Sequence, residues 1–529
     1  MTEKTYIGVT IGPITDTLML AEKPGQLWAA SNLFSSLTQE LCAVLVEQGL
    51  CKPADIITPY FPDAWEPLYD ELLKRRDGLG LFHDHIIFRA EQGAISQFIT
   101  CRDLAIGRIA RRFGADENRL KRYVSAAACE FTAGDKENPI LKCGEMLNCM
   151  ELSKRFEPVQ RSNWLREMIS DAPRRAEQLG IDPDAWQLMI RGWFLNREGR
   201  ERFGLHVKSL PEIAKIPGAE GLKKSRYFCV LRADGDNLTT LISALDSDEQ
   251  CRKFSKSCLR YCITAADLVG RYGGVTVYAG GDDLLALLPC EHGEDTVFHF
   301  MQALSDAFSK AFDDLDLPSD LQLPTLSMGA FVCHHKYPLY EALGESLHLL
   351  FDEAKSEEIG KNCAVVAIEK HSGHKETLVI PMDRLSPFAE MLREVIGAKA
   401  WKPDAKEDKQ AEEPERILLS AGRQISLFRE LVRLTQPEHT EDLFKNLFDA
   451  DFHVNQAQQF LHNRLPAFYR ENILAERPIL VLDETKSGKA KSDSDQATAK
   501  GAAGSHPEPA DALAAVLWFI KFFVEKGED

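Results

Sequence analysis

An α+β fold is predicted for this 529-residue chain by three observations. Short apolar runs bounded by Gly, Pro and Asp alternate with longer stretches of helical periodicity. The alternation occurs twice, over residues 1–155 and again over 223–382. After residue 383 the pattern is helical alone. The length is enough for three or four domains.

In the first unit, residues 5–12 read as a strand and 27–49 as a long amphipathic helix. Residues 55–60 and 85–88 read as further strands, and 95–113 and 139–152 as helices. Residues 156–222 are mostly helical in pattern and rich in Arg and Trp, with Ile216-Pro217-Gly218 as an exit. They read as a small helical insert. The second unit runs strand (227–231), helix (254–271), strand (275–279), turn, strand (284–288), helix (296–312), strand (326–333), helix (339–355) and strand (364–368). Its βαββαβ core resembles a ferredoxin-like palm.

The C-terminal region 383–529 is predicted to be a helical domain with two interruptions. Residues 402–415 are charged and contain proline. Residues 484–511 are rich in Lys, Ser, Ala and Gly with few apolar side chains, the composition of a disordered loop. The apolar run 512–520 is broken by Lys521 and is too short to span a bilayer, so it reads as a buried terminal helix.

Composition narrows the function. A net charge of −18 is unusual for a free-standing nucleic-acid binder, so any such contact is expected to be local or shared with partner subunits. The apolar stretch after Lys4 is too short for a signal peptide, and a cytoplasmic protein without membrane contact is expected. The 13 cysteines include no Cys-x-x-Cys pair, which suits reduced thiols. Cys143 and Cys149 are too irregularly spaced for a zinc knuckle. Cys251, Cys258 and Cys262 fall at helical spacing and read as a buried helix face.

The most informative stretch is Tyr278-Ala279-Gly280-Gly281-Asp282-Asp283-Leu284-Leu285. Apolar residues on both sides read as two buried strands, with Gly280-Gly281 at the turn. Burying an unpaired carboxylate is costly unless it takes up a proton or finds a cation. Two adjacent ones favour hard divalent cations such as Mg²⁺, which bring substrate phosphates with them. Upstream, the strand 227–231 leads into Ala233-Asp234-Gly235-Asp236-Asn237 and a helix start, for which Asp236 or Asn237 is a suitable N-cap. Asp234 at this strand end is predicted to converge with the hairpin. Three carboxylates could hold two Mg²⁺ beneath a triphosphate, the ions lying about 3.5–4 Å apart. In isolation Gly-Gly-Asp-Asp is equally an ordinary hairpin turn. The flanking strands and the upstream acids favour a nucleotidyl-transfer site.

In these motifs the chain resembles the large, polymerase–cyclase-like subunit of type III CRISPR–Cas effector complexes, in its Cmr-type form. Ile11-Gly12-Pro13 with Leu27-Trp28-Ala29-Ala30-Ser31 resembles that family's opening palm motif. Glu137-Asn138-Pro139-Ile140 with Glu151-Leu152 resembles the segment closing the first palm, and Ser209 to Ala214 the approach to the second. Asp234 to Asn237, Tyr278 to Leu285, Leu326-Ser327-Met328-Gly329, and Ala354-Lys355 with Lys361-Asn362 follow in order.

The resemblance implies two palm-like domains, a small domain between them and a C-terminal helical domain. It implies that ATP is joined into cyclic oligoadenylates by 3′–5′ linkage when the complex binds target RNA, with the guide RNA held mainly by other subunits. By position, Asp234, Asp282 and Asp283 match metal-binding carboxylates for two Mg²⁺ or Mn²⁺, with the Gly235 carbonyl as an extra ligand. Asp282 and Asp283 carry the catalytic role. Gly280, Gly281, Asn237, Ser327, Lys355 and Lys361 are the expected nucleotide contacts. Catalysis would be positioning plus charge stabilisation with no dedicated protein base.

The chain also departs from the family. Its first palm strand is read to begin at Thr5, so no N-terminal HD nuclease domain is expected. His83-Asp84-His85 reads as residues beside a strand, without a metal role. The insert lacks the four cysteines that often bind zinc, so no structural zinc is expected. In the opening motif a basic position is occupied by Glu22, followed by Lys23, so nucleotide contacts in the first palm are left unassigned. The first palm has no Gly-Gly-Asp-Asp, so it would present a nucleotide rather than hold metals. The alternatives are a diguanylate cyclase, whose hairpin ends Glu-Phe where this one has Leu284-Leu285, a family variant joining ATP to S-adenosylmethionine, and a non-catalytic scaffold.

Overall fold

In the computed structural model of the chain, residues 3–63, 66–68, 80–112, 116–134, 137–152, 208–396, 414–448, 459–482 and 508–527 are described. Most of the expected insert 156–222 and of the expected loop 484–511 lies outside them.

The first sheet contains β1 (Lys4–Gly12), β2 (Ile56–Thr58), β3 (His85–Arg89) and β4 (Ser125–Ala133), in the order β2-β3-β1-β4 with every pair antiparallel. Helices Pro24–Glu47 and Ile95–Arg112 make the crossovers. Leu33, Leu37, Leu41 and Val44 recur every three or four residues on the first of these, all at most 1% exposed. They share one core with Ile7, Val9 and Ile11 of β1. The other face of β1 meets helix Pro139–Glu151. Gly8 permits this close approach, since a Cβ there would lie 2.0 Å from Cys143 Sγ.

β4 was not expected. Its Ser-Ala-Ala-Ala-Cys start lacks the bulky residues that mark a strand. Pairing in register along the whole of β1, from Lys4 opposite Ala133 to Gly12 opposite Ser125, supplies the stabilisation that local propensity does not.

The second sheet contains β5 (Tyr227–Asp236), β6 (Val275–Gly280), β7 (Asp283–Pro289), β10 (Thr325–His334), β11 (Cys363–Glu369), β12 (Lys375–Pro381) and β13 (Leu480–Val481). The short strands β8 (Glu291–His292) and β9 (Asp295–Thr296) form a separate ribbon. The order is β13-β12-β11-β10-β5-β7-β6. Its core, β10-β5-β7-β6, repeats the order β4-β1-β3-β2 of the first sheet: fourth, first, third, second. Both units are therefore ferredoxin-like, and the chain is α+β as predicted. β5 alternates with period two. Cys229, Leu231 and Ala233 face helices Asp248–Arg271 and Val297–Lys310, and Phe228 and Val230 face the other core. Cys251, Cys258 and Cys262 line the buried face of Asp248–Arg271, as their spacing predicts.

The helix expected over 339–355 is α-helical only through His348. It continues as a π-helical turn, Leu349–Ala354, which sets the position of Lys355. Such turns recur at functional sites.

Helices Met382–Ile396, Pro414–Leu427, Arg429–Leu434 and Thr440–Phe448 follow. The terminal helix Pro509–Val524 buries Leu513, Val516, Leu517 and Ile520 completely, as read from the sequence. It begins inside the loop expected over 484–511. Pro at its first position and Asp511 in its first turn suit a helix N-terminus, which corrects that boundary. Glu525 then accepts from Lys370 at 2.6 Å and Lys223 at 3.2 Å, tying the C-terminus to the second palm. Among the described residues no helix is long and apolar enough to cross a membrane.

Candidate active site

The hairpin between β6 and β7 forms the tip of the site. Gly281 has φ +69°, a left-handed conformation that favours glycine. A Cβ on Gly280 would meet the Tyr278 hydroxyl at 2.4 Å. Across the sheet, Ala233 of β5 pairs with Leu284 of β7. One antiparallel step further along, Asp234 and Asp283 reach the same strand end.

Gly235 joins the two segments. Its N–H donates to Asp282 Oδ2 at 3.2 Å. A Cβ at 235 would lie 2.8 Å from that oxygen and 2.7 Å from Leu238 Cδ1, so only glycine allows the approach. The expected convergence of Asp234-Gly235 with Asp282-Asp283 is thus present.

Burial pushes the Asp282 carboxyl up to about 7, and the neighbouring Asp283 charge adds to the rise. Asp283 is pushed up to about 7 by burial and then by Asp84, with Arg232 opposing. Both titrate above the unfolded value of 3.8. The fold therefore favours the protonated forms. That contribution to stability is complete below pH ~4 and is lost as pH rises through about 7. In metal-free buffer the melting temperature is expected to fall between about pH 5 and about pH 8, and Asp283→Asn to flatten the fall. Thermal melts across pH check this, and an unchanged slope in the variant counts against it.

Lys355 lies at the centre. Its ammonium ion-pairs with Asp234, donates to the Gly235 carbonyl at 2.7 Å and stands 3.5 Å from Asp236 Oδ1. Burial, then the Lys361 charge, pulls its pKa down to about 8. Expected as a triphosphate contact, Lys355 here occupies a carboxylate cradle as a monovalent cation. Asp236 Oδ1 is buried and accepts no hydrogen bond. The unbonded Asp236 oxygen and the Asp282-Asp283 pair, with an ammonium lodged among the carboxylates, make an all-oxygen donor set of the kind that suits a hard divalent cation.

Two expected contacts take other roles. Ser327 is fully buried, and its hydroxyl donates to Asp236 Oδ2 at 2.7 Å. This corrects its reading as a direct nucleotide contact. Asn237 adopts φ 61° at the helix N-cap without a side-chain cap bond, and Asp236 caps nothing. Asp236 is instead the organiser that sequence reasoning missed. Its Oδ2 also accepts from Thr325 Oγ1 and from the Asn362 N–H, each at 3.1 Å. Asp236 alternates with Asp234 along β5, a signal hidden because Asp and Gly are strand-poor residues. Lys361, at φ 63°, is held by Arg477 donating to its carbonyl at 2.8 Å.

The first unit closes the site from the other side. Ala279 N–H donates to the Gly80 carbonyl at 3.0 Å, and His83 lies beside Gly281.

Residues 227–365 match the family model for Cas10/Cmr2, second palm domain, and residues 6–121 that for CRISPR-associated protein Cmr2, N-terminal. The chain is 32% identical over 175 residues to the CRISPR system Cmr subunit Cmr2 of Pyrococcus furiosus, a match taking in 28% of this chain and spanning 19% of that protein's length. Among solved structures, the type III-B Cmr-beta apo state superposes with a TM-score of 0.55 at 11% identity, over 99% of this chain and 82% of that one. The Csm1–Csm4 cassette in complex with cA4 gives 0.52 at 15%, over 98% and 70%. At such identities the likeness is one of fold. The two matched regions fall in turn on the two sheets described above, and over them the chain is similar to the Cas10/Cmr2 family.

Proposed function

We propose that this chain is the large subunit of a type III, Cmr-type CRISPR effector complex. On this reading its second palm joins ATP into cyclic oligoadenylates when the complex binds target RNA. The observation that carries it is the convergence of Asp234-Gly235 with Asp282-Asp283 around a cationic centre. A relative of the same fold was solved with cA4, and others with AMPPNP and pppApA. Its partners would be the other subunits, with guide and target RNA reached through them, which suits a net charge of −18.

Asp234, Asp282, Asp283 and the Gly235 carbonyl would hold Mg²⁺ or Mn²⁺. Such cations acidify an attacking hydroxyl and neutralise phosphate charge. Gly280 and Gly281 let the backbone approach a nucleotide. Lys361 offers positive charge toward a triphosphate, Lys355 would do so once a divalent cation takes its place among the carboxylates, and Asp236 fixes the loop that carries Lys361-Asn362. The 80–85 segment of the first palm walls the opposite side, where a second nucleotide would present its 3′-hydroxyl.

The test is to assemble the complex, add matching RNA, ATP and Mg²⁺, and identify products by mass spectrometry. Adenylate rings dependent on the matching RNA are expected. Product only when S-adenosylmethionine is added would move the reading to the conjugating variant. No nucleotide product under either condition would leave a scaffold.

A further inference from the structure

We propose that the first palm carries a divalent-cation site of its own, formed by Asp84, His85 and Glu151 and facing the Asp282-Asp283 hairpin. One ligand atom from each of the three lies within 4.8 Å of the others. The sequence alone gave His83-Asp84-His85 no metal role, because Glu151 is remote in the chain.

The internal repetition of the fold places these residues. Strand order is the same in both palms. His85 opens β3 as Asp283 opens β7, and Asp84 precedes it as Asp282 precedes Asp283. Thr10 of β1 pairs with His85. It therefore stands where Asp234 stands in the second palm. A threonine brings no charge, but its hydroxyl donates to Glu151 Oε1 at 2.6 Å. Glu151, the last residue of helix Pro139–Glu151, thus supplies the carboxylate that β1 lacks.

The chemistry matches the placement. His85 Nε2 and Glu151 Oε1 lie 2.6 Å apart and share a proton. Two ligand atoms bound to one cation at ~2.1 Å sit roughly 3 Å apart, so separation by a few tenths of an ångström admits the ion in place of that proton. Among the described residues no lysine or arginine ion-pairs with Asp84 or Glu151, and His85 is their positive partner. His83 is not a ligand. Its Nε2 is bonded to Thr58 Oγ1 at 2.8 Å, and its Nδ1 accepts from the His85 N–H at 3.3 Å. One imidazole with two carboxylates suits Zn²⁺ or Mn²⁺ better than Mg²⁺, which prefers oxygen alone.

This inference does not depend on nucleotidyl transfer, and it is tested with the acidic pair of the second palm removed. The Asp282→Asn/Asp283→Asn protein is titrated with Zn²⁺ by calorimetry, and the ion is located by anomalous scattering. A single ion on Asp84, His85 and Glu151 is expected, with affinity falling at least roughly 100-fold on adding His85→Asn or Glu151→Gln, since losing a ligand costs more than the roughly 10–100-fold typical of its supporting partners. Circular dichroism checks that each variant folds. If His85→Asn does not, Glu151→Gln, which can keep the Thr10 hydrogen bond, gives the same reading. Absence of binding, an ion found only elsewhere (such as the surface histidines 334, 335 and 371), or unchanged affinity in the folded variants overturns the assignment.

Discussion

Asp282→Asn/Asp283→Asn is expected to lower nucleotide synthesis by the RNA-bound complex roughly 10³-fold or more. The change removes negative charge and almost no volume, and it keeps an acceptor for the Gly235 N–H that now reaches Asp282 at 3.2 Å. Burial already holds both carboxyls near 7, so neutral amides suit the apo fold as well as the acids do. The variant should therefore fold and melt at least as high as the parent at about pH 8 without metal. Activity and stability are thus predicted to move in opposite directions, which separates a catalytic role from a structural one. Product analysis by mass spectrometry beside thermal melts provides the check. Synthesis within tenfold of the parent would remove these acids from the chemistry.

Lys355→Met is the second large effect. The methionine fills similar volume but leaves Asp234 and the buried Asp236 without their shared ammonium. Removing one partner from a buried ion pair typically costs about 3–5 kcal/mol. Lys355 and Asp234 retain 15% and 18% side-chain exposure, so a loss of about 2–3 kcal/mol is expected here. Denaturant unfolding at neutral pH measures it. Added Mg²⁺ should recover part of the loss, because a divalent cation can take up the same carboxylates. Synthesis should fall roughly 10²-fold even where stability is recovered. A change under ~0.5 kcal/mol with full activity would mean that the ammonium is an ornament of the apo state.

Strand and helix positions were legible wherever apolar periodicity was strong. The strands over 227–231, 275–279 and 284–288 and the helix over 254–271 all formed. Two kinds of element escaped. β4 is alanine-rich and exists because β1 offers nine paired positions. β12 folds back on β11 across residues 370–374 and went unread despite its Thr377-Leu378-Val379-Ile380 run, and β13, from the helical C-terminal region, pairs with it on the outer side of the second sheet. For β4 and β13 long-range pairing overrode weak local preference.

The site was legible to a similar degree. Paired acids beside two glycines, between apolar strands, point to a cation because buried charge must be compensated. That argument needs only neighbours in sequence, and the structure brings the Asp234-Gly235 segment onto the hairpin through the Gly235–Asp282 hydrogen bond. The role of Asp236 was hidden, because its partners Thr325, Ser327 and Asn362 are about 90 to 126 positions away. Lys355 was chosen for its charge, but only the π-helical turn before it directs that charge into the carboxylates.

By itself, then, the sequence determined the α+β class, the second-palm hairpin and the need for positive charge at its tip, since each follows from local periodicity and from the cost of burying an unpaired carboxylate. Tertiary structure alone decided that Ser327 serves Asp236, that the first palm repeats the strand order of the second, and that Glu151 meets Asp84 and His85. Those outcomes depend on which distant strands and helix ends pack together, and cross-strand register is set by the whole sheet rather than by any window of neighbouring residues.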